Sequence, residues 1–404
     1  MAGRTEAAGA NGSQDRMGIR EWMALLGLTF SAFIFNTSEF APIGLLTDIG
    51  STFSMGEAQT GLMITVYAWA VTILSLPLML LTSKVELKRL LLGVVAVFAL
   101  GQAISVVAPT FTVLIAARLC VACAHSVFWA IAAPIAVRVV PASSKALALS
   151  MIATGTSVAM ILGLPLGRII GLALGWRMTF LSVAVAAAVV LVYLLVLLPK
   201  LPVERPFTVS QLPMLLKNRM LLGVYLMVLL IATGYYVGYS YIEPFLLKVA
   251  GLGNAEVTMA LTVFGAFGIV GSFLFARLYD GRRSLFAVVA VLCMVAALGL
   301  LLPASGSLLA VVATCALWGL AATGFNLVLQ AEELACVPEE ASAVAMSIYS
   351  GTFNLGIGVG TALGGAVTDG VGLPFIGFVG AAIVLVAELY CVVRFAPMMR
   401  SRHR

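Results

Sequence analysis

The chain has 404 residues, of which 62% are hydrophobic and only 10% charged. A water-soluble protein of this length could not bury so much apolar surface in its core, so the bilayer must be the solvent for most of it. The net charge of +6 does not describe a nucleic-acid surface, because the basic residues fall in short segments between apolar runs.

The opening stretch, MAGRTEAAGANGSQDRMGIR, is polar and lacks the apolar centre of a cleavable signal, and residues 1–20 read as a disordered tail. Twelve runs long enough to cross a membrane follow, at 22–46, 58–81, 89–107, 111–137, 146–170, 178–198, 220–247, 256–276, 285–302, 307–331, 341–366 and 373–395. They predict an all-α membrane protein built as a six-helix bundle over 21–198, a linker over 199–219, a second bundle over 220–396 and a tail over 397–404. The linker is rich in proline and charge. An even number of spans puts both chain ends on one side. Every Lys and Arg lies on that side except Arg118, within a span, and Arg168, Arg177 and Lys248, in the opposite loops, so that side is expected to be cytoplasmic. The segment after the tenth run, with Glu332, Glu333, Glu339 and Glu340 and no base, is the exception.

The chain also repeats itself. ALSMIATGT at 148–156 echoes AMSIYSGT at 345–352, and SEFAPIGLL at 38–46 has a weaker partner in YIEPFLL at 241–247, which sets Glu39 against Glu243. Both pairs are separated by about half the chain, as expected of two parallel repeats with a binding site between them near the midplane.

Polar residues inside the runs are the functional candidates. In FIFNTSEFAPIGLL, at 33–46, Glu39 stands beside Asn36, Thr37 and Ser38. A charge at bilayer depth costs at least about 2.5 kcal/mol and ordinarily marks a function. Counting from the helix ends, Glu39 and Arg118 both lie roughly 10 Å below the outer face, so the two are expected to pair. The plainer alternative is a static pair that only locks two helices. Arg118, Ala122, His125 and Trp129 share one helical face that is too polar for lipid. His125 could relay protons or bond a substrate hydroxyl, or simply be satisfied by a neighbouring carbonyl. The nearby Cys120 and Cys123 form a C-x-x-C, but no second ligand cluster accompanies it, so these read as packing residues and no metal or other cofactor is expected.

Further along, Tyr236, Tyr239 and Glu243 repeat the same spacing and suit contact with sugars or amphiphilic drugs, although tyrosines can also be interfacial. Weaker candidates are Thr65, Trp69 and Thr72, then Asn326, Gln330 and Asn354, which interhelical hydrogen bonding explains about as well. The stretches GLPLGRIIG at 163–171 and GIGVGTALGG at 356–365 let helix backbones touch. Glu388 is isolated in the last run and reads as structural. Nothing resembles a phosphate-binding loop, so neither ATP-driven transport nor an enzyme is indicated.

Taken in order, FIFNTSEFAPIGLL, AHSVFWAIAA, SMIATGT with GLPLGRIIG and GWRMTF, YSYIEPF and SGTFNLGIGVG resemble the bacterial sugar-efflux transporters. These belong to the drug:proton antiporter branch of the major facilitator superfamily. The resemblance covers the first eleven runs. It implies a monomer in the bacterial inner membrane that exports arabinose, thiogalactosides or amphenicol-type drugs, driven by the proton gradient alone. Glu39 is then the proton-coupling acid, assisted by Arg118 and His125. Asn36, Trp69, His125, Trp129, Tyr236, Tyr239, Glu243, Asn326 and Asn354 become the candidate substrate contacts. Gly163, Pro165 and Gly167 match the antiporter motif in rearranged order. ARLYDGRR at 276–283 keeps Asp280, Arg282 and Arg283 of a conformational motif, while its counterpart LTSKVELKR at 81–89 lacks the aspartate. A multidrug exporter shares every one of these motifs. A sugar importer and a non-transporting membrane sensor are the remaining alternatives.

Overall fold

A computed structural model describes residues 17–82, 84–141, 144–202, 213, 215, 217–279 and 281–402. Among these residues the regular structure is all helical, with no strand. Twelve long helices carry it: α1 (Ile19–Phe40), α2 (Glu57–Thr82), α3 (Leu87–Val107), α4 (Phe111–Arg138), α5 (Lys145–Leu174), α6 (Trp176–Leu197), α7 (Arg219–Tyr239), α8 (Asn254–Leu278), α9 (Arg283–Ala304), α10 (Leu308–Cys336), α11 (Glu339–Gly370) and α12 (Ile376–Tyr390). Eleven helical segments of the described chain are long and apolar enough to cross a membrane. The remaining long helix, α11, has the length, but its glycines, serines and threonines dilute its hydropathy. The expected tail over 1–20 and linker over 199–219 lie largely outside the described residues, as does Asp280, although the chain is already helical at Ile19.

The two halves repeat one packing plan. α1 packs on α5 and α6, α2 on α4, and α3 on α4 and α6. In the second half α7 packs on α11 and α12, α8 on α10, and α9 on α10 and α12. Adding six to each number in the first set yields the second, so the halves are parallel pseudo-repeats. They meet along two seams, α2 against α11 and α5 against α8, which the same shift interchanges. The start of α1 and the end of α12 share one face of the bundle, here called the near face. The connections after α1, α5 and α7 lie on the far face.

Local chemistry sets the helix ends. Glu86 caps α3, accepting from the backbone N–H groups of Lys88 at 3.1 Å and Arg89 at 3.0 Å. It also accepts from the N–H of Leu201 at 2.6 Å, which ties the chain leaving α6 to the start of α3. Asn218 caps α7 through Met220 and Leu221. Only one residue separates α5 from α6. That residue is Gly175 at φ +91°, a left-handed conformation that a side chain would strain. On α6, Val185, Val189, Val192 and Val196 are exposed. Their spacing of three and four makes a stripe for lipid.

Glycines bring the paired helices together. On α5 a Cβ at Gly163 would sit 2.9 Å from Thr37 Oγ1, and one at Gly167 3.0 Å from Ala41 Cβ, so both close on the end of α1. In the second half Gly356 and Gly364 of α11 face Ala232 and the carbonyl of Val237 on α7 in the same way. Pro165 stands inside α5 between its two glycines.

Two readings of loop charge are corrected. Arg168 is not in an outer loop but within α5, and it is wholly buried. Glu332 and Glu333 do not follow the tenth helix but belong to it, because α10 runs on to Cys336, and both are buried. Each has a partner in the interior, which a sequence-based boundary cannot register.

Candidate functional site

The site begins where α1 loses its regular geometry. Pro42 has no N–H to continue the helical ladder, and the chain tightens into a 3-10 turn over Ala41–Leu45 before a short helix, Leu46–Thr52. Glu39 therefore occupies the last turn of α1, still within the membrane interior. Its Oε2 lies 3.6 Å from Nε2 of His125 on α4. Trp129, one turn further along α4, donates its indole N–H to the same His125 Nε2 at 2.8 Å. The four-residue spacing read in the sequence thus becomes a direct contact. Because an indole can only donate, Nε2 is here an acceptor, and a neutral imidazole then carries its hydrogen on Nδ1. That Nδ1 has no protein partner. Nε2 has a single lone pair and the indole of Trp129 already holds it, so His125 offers the carboxyl of Glu39 no hydrogen bond in this arrangement.

Arg118 completes the group in a different way from that expected. It donates through Nη1 to the carbonyl of Ser38 at 3.2 Å and to the Ser38 hydroxyl at 3.3 Å. Gln102 of α3 also donates to that hydroxyl. Arg118 acts on Glu39 through space, but no direct pair closes. Matching depth put the two at one level. The helical turn of about 100° between adjacent residues points Ser38, not Glu39, at the guanidinium. Tyr67 of α2, which the sequence reading passed over, lies under Arg118 with the guanidinium 4.3 Å from its ring centre and meets His125 edge-on at 5.7 Å. Its only sequence signal is a tyrosine in an apolar run, between Thr65 and Trp69.

The opposite wall comes from α7. Tyr236 and Tyr239 stand there edge to face, with ring centres 5.7 Å apart. These rings are held in a cluster with Tyr235, Phe264 and Trp318, in which Tyr239 stacks on Tyr235 at 4.8 Å. Trp69 of α2 remains 41% exposed although it lies between the halves, and its indole fills the space where a Cβ at Gly358 of α11 would go. Beside it, Thr72 donates to the carbonyl of Gly351 at 3.1 Å across the same seam.

Other candidates lie inside one half. Asn36 bonds Thr156 of α5 at 3.2 Å and serves the α1–α5 contact. Asn326 accepts from Tyr349 at 2.8 Å and from Gln330 at 3.1 Å. Asn354 donates to the carbonyl of Ser350 at 3.0 Å, and its buried Oδ1 has no partner. Arg282 stands at the start of α9, and Arg283 lies over the ring of Tyr279 at 5.3 Å. Glu388 is buried in α12 with its Oε2 unpartnered. Among the described residues, no group of three or more His, Cys, Asp and Glu side chains is placed to hold a metal ion.

Glu243 does not join the tyrosines. α7 ends at Tyr239, and Glu243 lies in a separate short helix, Ile242–Pro244, at the far face. There it accepts from Arg168 at 2.9 Å, with both side chains wholly buried. Thr47 donates its hydroxyl to Glu243 at 2.8 Å, while Arg168 also reaches the carbonyl of Gly44 at 2.6 Å and Asn254 Oδ1 at 2.8 Å. Lys248 and Glu57 form a further pair between the halves nearby. The far face is therefore closed by charged contacts between the two halves.

This fold and its repeat have counterparts. The Major Facilitator Superfamily model matches residues 28–333, well over half of the chain. The chain belongs to the major facilitator superfamily. Among solved structures it is similar to a bacterial homologue of the human lysosomal transporter Spinster in an inward-facing, occupied conformation, with a TM-score of 0.75 and 16% identity, covering 94% of this chain and 97% of that one. A POT family transporter in complex with 5-aminolevulinic acid matches with a TM-score of 0.74 and 11% identity, covering 91% and 96%. At these identities the likeness speaks for the fold. As a member of this superfamily, the protein is a multi-pass membrane transporter of small molecules rather than an enzyme.

Proposed function

We propose that this transporter exports small sugars, such as arabinose and thiogalactosides, in exchange for protons across a bacterial inner membrane, working as a monomer with both ends in the cytoplasm. The observation that carries the reading is Glu39 on α1 beside His125 on α4, 3.6 Å apart. While the indole holds Nε2, the carboxyl has no donor from His125, and a proton on the carboxyl itself relieves the cost of a bare charge at this depth. A substrate hydroxyl that donated to the carboxylate would take the proton's place, which is the competition that exchange requires. Alternating access supplies the two sides. With the near face cytoplasmic, the closed far face corresponds to an inward-facing arrangement.

A hydroxyl-rich substrate is favoured by the polar atoms left without protein partners: His125 Nδ1, Tyr67 Oη, Thr65 Oγ1 and Asn354 Oδ1. Buried polar groups of this kind ask for hydrogen bonds. The exposed face of Trp69 suits the C–H face of a sugar ring. The cluster of Tyr235, Tyr239, Phe264 and Trp318 is the specific feature that favours an amphenicol-type drug as the second reading.

The test is proton release from purified protein in weakly buffered detergent solution as sugars and amphenicols are added. Release on adding a sugar supports the reading. Release with drugs alone moves it to the second reading, and no proton movement with any compound removes the exchange mechanism.

A further inference from the structure

A second carboxyl stands apart from the site just described. Glu333, in the last turn of α10, is wholly buried. Three residues from the helix end, it lies about 5 Å along the axis from the near-face terminus of α10. Glu39 is at the opposite, far-face end of its own helix, so the two acids sit toward opposite faces of the membrane. Around Glu333, α7 contributes Tyr225, whose hydroxyl lies 3.4 Å from Oε1 and 3.2 Å from the carbonyl of Ala345. That single hydrogen is shared between two acceptors. α11 contributes Tyr349, which bonds Asn326. On α10 itself, Cys336 is a turn away. Its neighbour Glu332 points to another side, where Tyr279, just past the end of α8, donates to it at 2.5 Å with Arg283 of α9 over that ring. Among the described residues no lysine or arginine pairs with Glu333, and its Oε2 has no hydrogen-bond partner.

A carboxylate buried with one weak donor and no counter-cation is costly, and an ionisable group of this kind within a membrane marks a functional position. We propose that Glu333 is a second proton-binding site, in the C-terminal half, that holds its proton while α7, α10 and α11 are packed together at the near face. The step is a simple transfer. The O–H bond on Glu333 breaks when these helices part and water reaches the carboxyl, and the proton leaves to that water. The site stands on its own geometry. Its part in transport rests on the proton-exchange reading, in which it adds a proton taken up and released on the near side.

Infrared difference spectroscopy of the full-length protein in deuterated buffer tests this without any substrate. Wild type at neutral pH is expected to show a carboxylic-acid C=O band that Glu333→Gln removes and Glu39→Gln does not. Tyr225→Phe keeps the aromatic packing and removes the donor, so the same band should persist and move to higher wavenumber, because an unbonded C=O is stiffer. A spectrum unchanged by Glu333→Gln overturns the proposal, and so does a band that ignores Tyr225→Phe, the variant that decides if Glu333→Gln fails to fold. Should wild type move no protons with any substrate, the exchange mechanism fails while the Glu333 band still decides this site.

Discussion

Arg168 and Glu243 join the halves through a buried ion pair 2.9 Å long, and they must separate for the far face to open. Removing one partner of such a pair leaves a buried charge uncompensated, at a cost of about 3–5 kcal/mol to the closed form. Glu243→Gln is expected to shift the population toward an open far face. Spin labels on Gly56 and Gly251, either side of the seam, should then show longer distances by electron paramagnetic resonance. An unchanged distance distribution assigns the pair to static packing.

Glu39→Gln imitates a permanently protonated acid. In proteoliposomes under an imposed pH gradient it should lose uphill transport and keep substrate binding, now insensitive to pH. A Glu39→Gln protein that still concentrates substrate excludes Glu39 as the coupling group.

Trp129→Phe keeps a ring but takes away the donor to His125. One hydrogen bond is worth about 1 kcal/mol, roughly fivefold in an equilibrium constant. If the imidazole touches substrate, calorimetry should report weaker binding by about that factor. Full affinity combined with a lower melting temperature makes the pair a packing feature.

Gly265 of α8 meets the backbone of α5, and a Cβ there would lie 2.6 Å from Ile161 Cα. Backbone cannot swing aside, so Gly265→Ala must pry the halves apart along this seam at a cost of about 1–3 kcal/mol. Loss of transport with a lowered melting temperature is expected, whereas Gly306→Ala, in open space, should change neither.

Glu86 lies outside the membrane spans. Burial acts to raise its titration, but the backbone N–H groups of Leu201, Arg89 and Lys88 outweigh this and hold the carboxyl below its usual range. A depressed folded value means the cap's contribution is present above the ordinary carboxylate range and is lost as pH falls through the folded value. Acid melting curves of wild type should therefore fall more steeply in that window than those of Glu86→Gln, and parallel curves would deny the cap a role.

The sequence alone determined the solvent and the plan. Apolar runs of membrane length, their even number and the half-chain echoes specify a twelve-helix parallel repeat, because each follows from composition along the chain and needs no knowledge of contacts. It also put Glu39 and Arg118 at one level, which the bond from Arg118 to Ser38 reflects, and the four-residue spacing of His125 and Trp129 became a hydrogen bond. Only the tertiary structure decided which groups meet. Depth along a helix is readable from residue counting, whereas the direction a side chain faces depends on how neighbouring helices are rotated. That rotation gave Ser38 to Arg118 and His125 to Glu39, placed Tyr67 beneath the guanidinium, and took Glu243 from the tyrosines to Arg168, a residue 75 positions away in the other half. Helix ends were illegible for a related reason. Glu332 and Glu333 look like solvated loop charges until Tyr279 and Tyr225 are packed against them.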